Sequence, residues 1–168
     1  DDYWDDRTKT IQQLNLMDEN SNLSWTFTDG SILNIDGTIS EISFNHLPQI
    51  FSLEYYLENF FNPLNNTIIF RKNSEPKEYP SFFLNIIQWD TVLHYIRGTR
   101  GDIGYLPVKG LAWRRHRNAT SISTNYVGVK RYKDWIIINN EIKKYLPNNL
   151  HKYFDNNYKA YEFIAIDY

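Results

Sequence analysis

The sequence contains no cysteine. This chain therefore supplies no thiol nucleophile, no thiolate metal ligand and no disulfide. A chain without disulfides points to an intracellular setting, cytoplasm or nucleus. No apolar run approaches the ~20 residues needed to cross a bilayer, so no membrane partner is expected. The opening Asp-Asp-Tyr-Trp-Asp-Asp is not a secretory signal, and the missing initiator Met implies a processed or excised chain. Charge of one sign is also lacking. Lys and Arg number 18 against 20 Asp and Glu, and the net charge of -2 provides no basic field to draw in nucleic acid. Glycine is sparse, at 7 residues, and the stretch from Arg97 to Gly110, where it concentrates, reads as loop.

What the chain has in quantity is aromatic side chains: 13 Tyr, 10 Phe and 5 Trp, or 17% of the residues. Rings of this kind supply core volume first and binding surface second. A length of 168 residues suits a single domain over 1–168, with residues 1–20 as a flexible or helical appendage. Glycosylation sequons at Asn22, Asn65 and Asn118 are expected by chance in a chain this rich in Asn.

The local patterns predict an α+β fold, mainly an antiparallel sheet with a few short helices. A helix is expected over Thr8–Met17, with Ile11, Leu14 and Met17 on one side. Trp25 and Phe27 alternate with Ser24, Thr26 and Thr28, and the pairs Asp29-Gly30 and Asp36-Gly37 read as hairpin turns of a small meander. Ser52 caps a helix whose apolar stripe is Leu53, Tyr56, Leu57, Phe60 and Phe61, and Pro63 stops it. Thr67–Phe70, Phe82–Ile87, Thr91–Ile96 and Leu111–Trp113 read as strands. Tyr126–Tyr132 and Trp135–Ile138 read as two strands joined at Lys133-Asp134. A short helix at Asn148–Phe154 and a closing strand at Ala160–Ile166 complete the expectation.

The run Thr124-Asn-Tyr-Val-Gly-Val-Lys-Arg-Tyr-Lys-Asp-Trp-Ile-Ile-Ile-Asn-Asn140 resembles the C-terminal signature of the ubiquitin-specific proteases, which have a papain-like fold. Ala160-Tyr-Glu-Phe-Ile-Ala165 stands where that family places its last strand, and Ser52–Pro63 resembles its Ser-Leu-Glu helix. The likeness is strongest over residues 105–168. It implies a Cys nucleophile, a His base and an Asp or Asn that orients the His. The chain has no Cys, Asn125 falls at the position of the His, and Asn139 at that of the orienting residue. An amide is no base near neutral pH. The resemblance thus implies a catalytically dead relative that binds ubiquitin or a subunit of a larger assembly.

Two further patterns compete. Arg97-Gly98-Thr99, followed by Ser121 and Ser123 on a polar strand and by Glu141 or Glu162, resembles the ADP-ribosyltransferases. It implies an NAD-dependent transferase in which Arg97 holds the dinucleotide and Glu162 polarises the ribose. Trp113, Arg114, Arg115, His116 and Arg117, with Tyr126, Lys130, Arg131 and Trp135, form a basic-aromatic set suited to a protein partner or, as an alternative, to nucleic acid. His46, His94, His116 and His151 lack the spacing of a metal pair, and no cofactor is expected. A non-catalytic recognition or scaffold domain is the leading expectation.

Overall fold

The structure, a computed structural model, describes residues 6–59, 61–115 and 129–155, omitting the side chains of Val129 and Arg131. The chain builds a five-stranded sheet around the long strand β1 (Leu23–Leu33). On one side β1 pairs antiparallel with β2 (Ile39–Ile42) and, nearer its start, with β4 (Ile69–Phe70). On the other it pairs parallel with β5 (Asp102–Arg114), whose far edge meets β3 (Ile50–Phe51) in antiparallel register. The α+β expectation holds, but the sheet is mixed: its longest pairing, β1 with β5, is parallel. Parallel neighbours need a long crossover, and residues 34–101 supply it, carrying helices α2 (Leu53–Asn59) and α3 (Trp89–Gly98). Short 3-10 turns fill Asn65–Thr67, Lys72–Ser74, Ser81–Asn85, Ile142–Tyr145 and Asn148–Phe154. Among the described residues no helix is long and apolar enough to cross a membrane.

Helix α1 (Lys9–Glu19) forms where the sequence places it, but turns a different face inward. Lys9, Gln13, Leu16 and Met17 are buried, while Ile11 and Leu14 face solvent at 61% and 46% exposure. The reason lies in what α1 covers. One face of β1 carries Trp25 and Phe27 into the main core, and the other carries Ser24, Thr26 and Thr28, which are buried too. A polar inner face needs polar partners. Gln13 Nε2 donates to Thr26 Oγ1 (3.0 Å) and to the Thr67 carbonyl (3.0 Å). Gly104 and Gly110 of β5 leave the room: a Cβ on Gly110 would lie 2.2 Å from Thr28 Oγ1 and 2.7 Å from Lys9 Cδ.

Of the two Asp-Gly pairs, only the second turns the chain. Gly37 adopts φ 85° between β1 and β2, and the Asn34 N–H closes the turn onto the Thr38 carbonyl (2.8 Å). Asp29-Gly30 instead lies inside β1, and Gly30 pairs with Ile42. Here β5 bulges: Thr28 pairs with Leu106 but Asp29 with Lys109, leaving Pro107 and Val108 unmatched. Proline offers no N–H to a ladder, so a bulge is its natural place. Asp29 is buried, and its carboxylate gathers neighbouring donors. Oδ1 accepts from the Phe44 N–H (2.8 Å) and the Tyr105 hydroxyl (2.8 Å), and Oδ2 from Ser43 Oγ (3.2 Å).

Four segments read as strands are helical where the structure describes them. Phe82–Ile87 runs through a 3-10 turn, and Thr91–Ile96 belongs to α3, which is buried continuously from Thr91 to Gly98. Its polar residues Asp90, His94 and Arg97 fall on one stripe, but His94 and Arg97 are buried with the rest, and Val92, Leu93, Tyr95 and Ile96 read equally as a core strand. Val129–Glu141 forms one helix, α4, in place of two strands. Trp135, Ile138 and Ile142 recur at helical spacing and all are fully buried. Asp134, expected in a turn, is buried and accepts the Ile87 N–H at 2.6 Å. Conversely, the stretch expected as glycine-rich loop contributes the C-terminal end of α3 and most of β5. Ser52 caps α2 as expected, its Oγ accepting the Tyr55 N–H at 3.2 Å.

Candidate functional site

The basic-aromatic set separates into surface and core. Trp135 is 0% exposed and cannot contact a partner. Its place beside Ile138 and Ile142 makes it a core residue, correcting its assignment to the binding set. Asn139, expected at the orienting position of the dead site, is also buried on α4. The hairpin that the protease resemblance implies over 126–138 does not form across 129–138, which are helix. Lys130 is exposed on the first turn of α4. His116, Arg117, Ser121, Ser123, Asn125, Tyr126 and Glu162 lie outside the described residues, as does the Arg131 side chain.

Trp113, Arg114 and Arg115 remain together at the end of β5. The strand is held to the last by a bond from the Arg115 N–H to the Leu33 carbonyl (2.9 Å). Arg114 and Arg115 are exposed and Trp113 is half-buried. The Arg115 guanidinium sits 5.5 Å from the Trp113 ring centre, within cation–π range. It also approaches Asn34 Oδ1 at 3.5 Å.

Beside this pair lies an open cleft of about 260 Å³. Trp113 and Leu111 form one wall, and the loop from Asn62 to Asn66 forms the other. Pro63 helps to end α2 and turns the chain into this loop. Leu64 anchors it against the sheet, occupying the space that a Cβ on Gly30 would need (2.6 Å to Leu64 Cδ1). The loop is held from beneath as well: Thr67 Oγ1 donates to the Leu64 carbonyl at 2.7 Å, and Asn65 Nδ2 donates to Asp90 Oδ2. The cleft thus combines an indole face, apolar Leu and Pro surface, and three Asn side chains. Such a lining can stack on a ring or aliphatic chain and read amide or hydroxyl groups. The Asn-rich wall was missed in the sequence. Its signal, an Asn-Pro followed by Asn-Asn, looks like any turn until the sheet brings Trp113 opposite.

Arg97 does not stand open to a dinucleotide. Its guanidinium bonds Glu75 Oε1 through Nε (2.8 Å) and Nη2, and lies 3.7 Å over the Phe70 ring. That arrangement pins α3 to the 72–75 turn. Glu141 forms an ion pair with Lys144.

His94 is buried in the core, its ring stacked 5.1 Å from that of Trp25, and its Nδ1 has no hydrogen-bond partner among the described residues. Burial, reinforced by the Arg97 charge, pushes the imidazole down from 6.5 to about 3. Between those values the unfolded chain binds a proton that the folded chain refuses. Stability is therefore full above pH 6.5 and falls as pH drops, by about 1.4 kcal/mol per pH unit. Urea unfolding at about pH 7 and pH 5 should show the loss, and His94→Gln should flatten the slope. An unchanged slope in the variant would remove His94 as its source. Among the described residues no three His, Cys, Asp or Glu side chains cluster as a metal site.

Compared with protein-family models and with curated proteins, the chain matches none.

Proposed function

We propose that the protein is a recognition module that holds a segment of a partner protein in the cleft between Trp113 and the 62–66 loop. The observation that carries this is the pairing of a half-exposed Trp, stacked by Arg115, with an anchored amide-rich wall across about 260 Å³. Trp and Arg dominate binding energy at protein interfaces. The lining side chains bind through stacking and amide hydrogen bonds, and none carries a group that moves protons near neutral pH. A net charge of -2 favours a protein over a polyanion. The cysteine-free composition supports an intracellular setting.

Panning a displayed peptide library against the folded chain tests the proposal. Selected peptides should shift the amide resonances of residues 62–66 and 111–115. Trp113→Ala should weaken them by about tenfold or more while leaving the far-ultraviolet circular dichroism unchanged. Ubiquitin, the partner that the protease resemblance implies, is titrated in the same way. Peptides that bind elsewhere, or that ignore Trp113→Ala, would sink the proposal. Binding of a single-stranded oligonucleotide at this cleft, weakening steeply with salt, would replace it with the nucleic-acid reading.

A further inference from the structure

A second pocket, of about 180 Å³, shares no lining residue with the Trp113 cleft. It is lined by the turn that leads from α1 into β1, by the 71–74 turn with Arg71, and by Arg100. Ser21, Asn22 and Asn73 add hydroxyl and amide groups, and no carboxylate lines it. We propose that this pocket binds the phosphate group of a small phosphomonoester.

Arg71 makes the case. Its guanidinium is half-buried and, among the described residues, bonds only carbonyl oxygens, of Leu23 through Nε (2.8 Å) and of Met17 through Nη2. No described carboxylate lies within ion-pair reach of it or of Arg100, so among the described residues this partly desolvated positive charge has no counter-ion. Such a charge is costly unless an anion joins it. The two carbonyl bonds use part of the five-donor fork and fix its plane, leaving the remaining N–H groups for a ligand. Of the carboxylates close by in the chain, Glu75 is bound by Arg97, and Asp102 Oδ2 accepts from Nδ2 of the lining residue Asn22 (2.9 Å).

The surrounding backbone is set rigidly enough to preform the site. Ser24 Oγ donates to the Gly101 and Asp102 carbonyls at 3.1 and 3.0 Å, and Ser74 Oγ to the Arg71 carbonyl at 2.6 Å. A Cβ on Gly101 would come 2.1 Å from the Asn22 carbonyl oxygen, so the two loops meet only because that position is glycine. Two arginines lining a small polar cavity suit a phosphate, whose oxygens accept paired N–H bonds from guanidinium groups. The volume leaves room for a few atoms beyond the phosphate. That favours a monoester over the bare ion.

The test titrates isotope-labelled protein with inorganic phosphate, O-phosphoserine and serine. Both phosphates should give saturable shifts at Ser21–Ser24, Asn73 and Arg100. O-phosphoserine should bind more tightly than phosphate, and serine should give nothing. Affinity for O-phosphoserine should rise from about pH 5 to pH 7 as the monoester takes its second charge, near pH 6. Arg100→Ala should weaken binding by about tenfold without loss of fold, because Arg100 is exposed and bonds no side chain among the described residues. Arg71→Lys, which keeps the charge but loses the fork, should weaken it as well. The proposal fails if neither phosphate saturates in the millimolar range. It fails too if serine matches O-phosphoserine, or if Arg100→Ala binds as the wild type does.

Discussion

Replacing Trp135 with Ala should lower the unfolding free energy by about 3–5 kcal/mol, whereas Trp113→Ala should cost about 1 kcal/mol or less. Both tryptophans belong to the same basic-aromatic set in the sequence. Their surroundings separate them. Trp135 is fully enclosed with Ile138, Ile142, Leu146 and Leu150 in one core. Truncating it leaves a cavity that close-packed neighbours cannot fill. Trp113 already faces water on one side, so its loss removes less buried area and opens no closed void. Chemical denaturation of the two variants, with midpoint and slope fitted together, makes the comparison. Equal destabilisation would overturn the division into core and surface on which the recognition proposal depends.

Asp29→Ala should cost about 3–4 kcal/mol, nearly as much, although it removes only a few atoms. The loss comes from the donors left behind. The Phe44 N–H and the Tyr105 hydroxyl both point at Oδ1 from buried positions, and Ser43 Oγ points at Oδ2. Without the carboxylate the Phe44 N–H loses its acceptor, and the Tyr105 hydroxyl keeps only Ser43 beside it. Tyr105→Phe, which removes one donor along with its need, should cost only about 1 kcal/mol. In the double variant the two effects should be less than additive, because the Tyr105 hydroxyl no longer needs satisfying. Strict additivity would mean that the bond seen in the structure contributes nothing to stability. Burial and the Asp29 carboxylate also push the Tyr105 phenol well above its ordinary value, so that hydroxyl stays a donor throughout the working pH range.

The same aspartate shows where the sequence is ambiguous. Asp29-Gly30 and Asp36-Gly37 are the same dipeptide between β-rich runs. Only Gly37 takes a left-handed φ. Asp29-Gly30 stays extended because β5 lies alongside, bulged at Pro107, and because Leu64 needs the space above Gly30. Neither β5 nor Leu64 is close in sequence, so no local pattern could separate the two pairs. The glycines of β5 were misleading for the same reason. They mark close approach by Thr26, Thr28 and Lys9, not a loop.

By itself the sequence determined what rests on composition and local rules. Without cysteine there is no thiol chemistry in this chain, whatever its fold. Ser52 and Pro63 bracket α2, Asp36-Gly37 closes the β1–β2 hairpin, and the α+β class follows from the mixture of periods. Each depends on a bond or steric limit within a few residues. Tertiary structure alone decided the rest. It made Thr91–Ile96 and Trp135–Ile138 helices, because packing Val92, Tyr95, Ile96, Trp135 and Ile138 into one core outweighs the β preference of their Ile, Val and Trp residues. It turned the polar side of α1 inward, because the covered face of β1 is itself polar. It also set Trp113 with Asn62–Asn66 around one cleft, and Arg71 with Arg100 around another, groups that meet only when the sheet assembles.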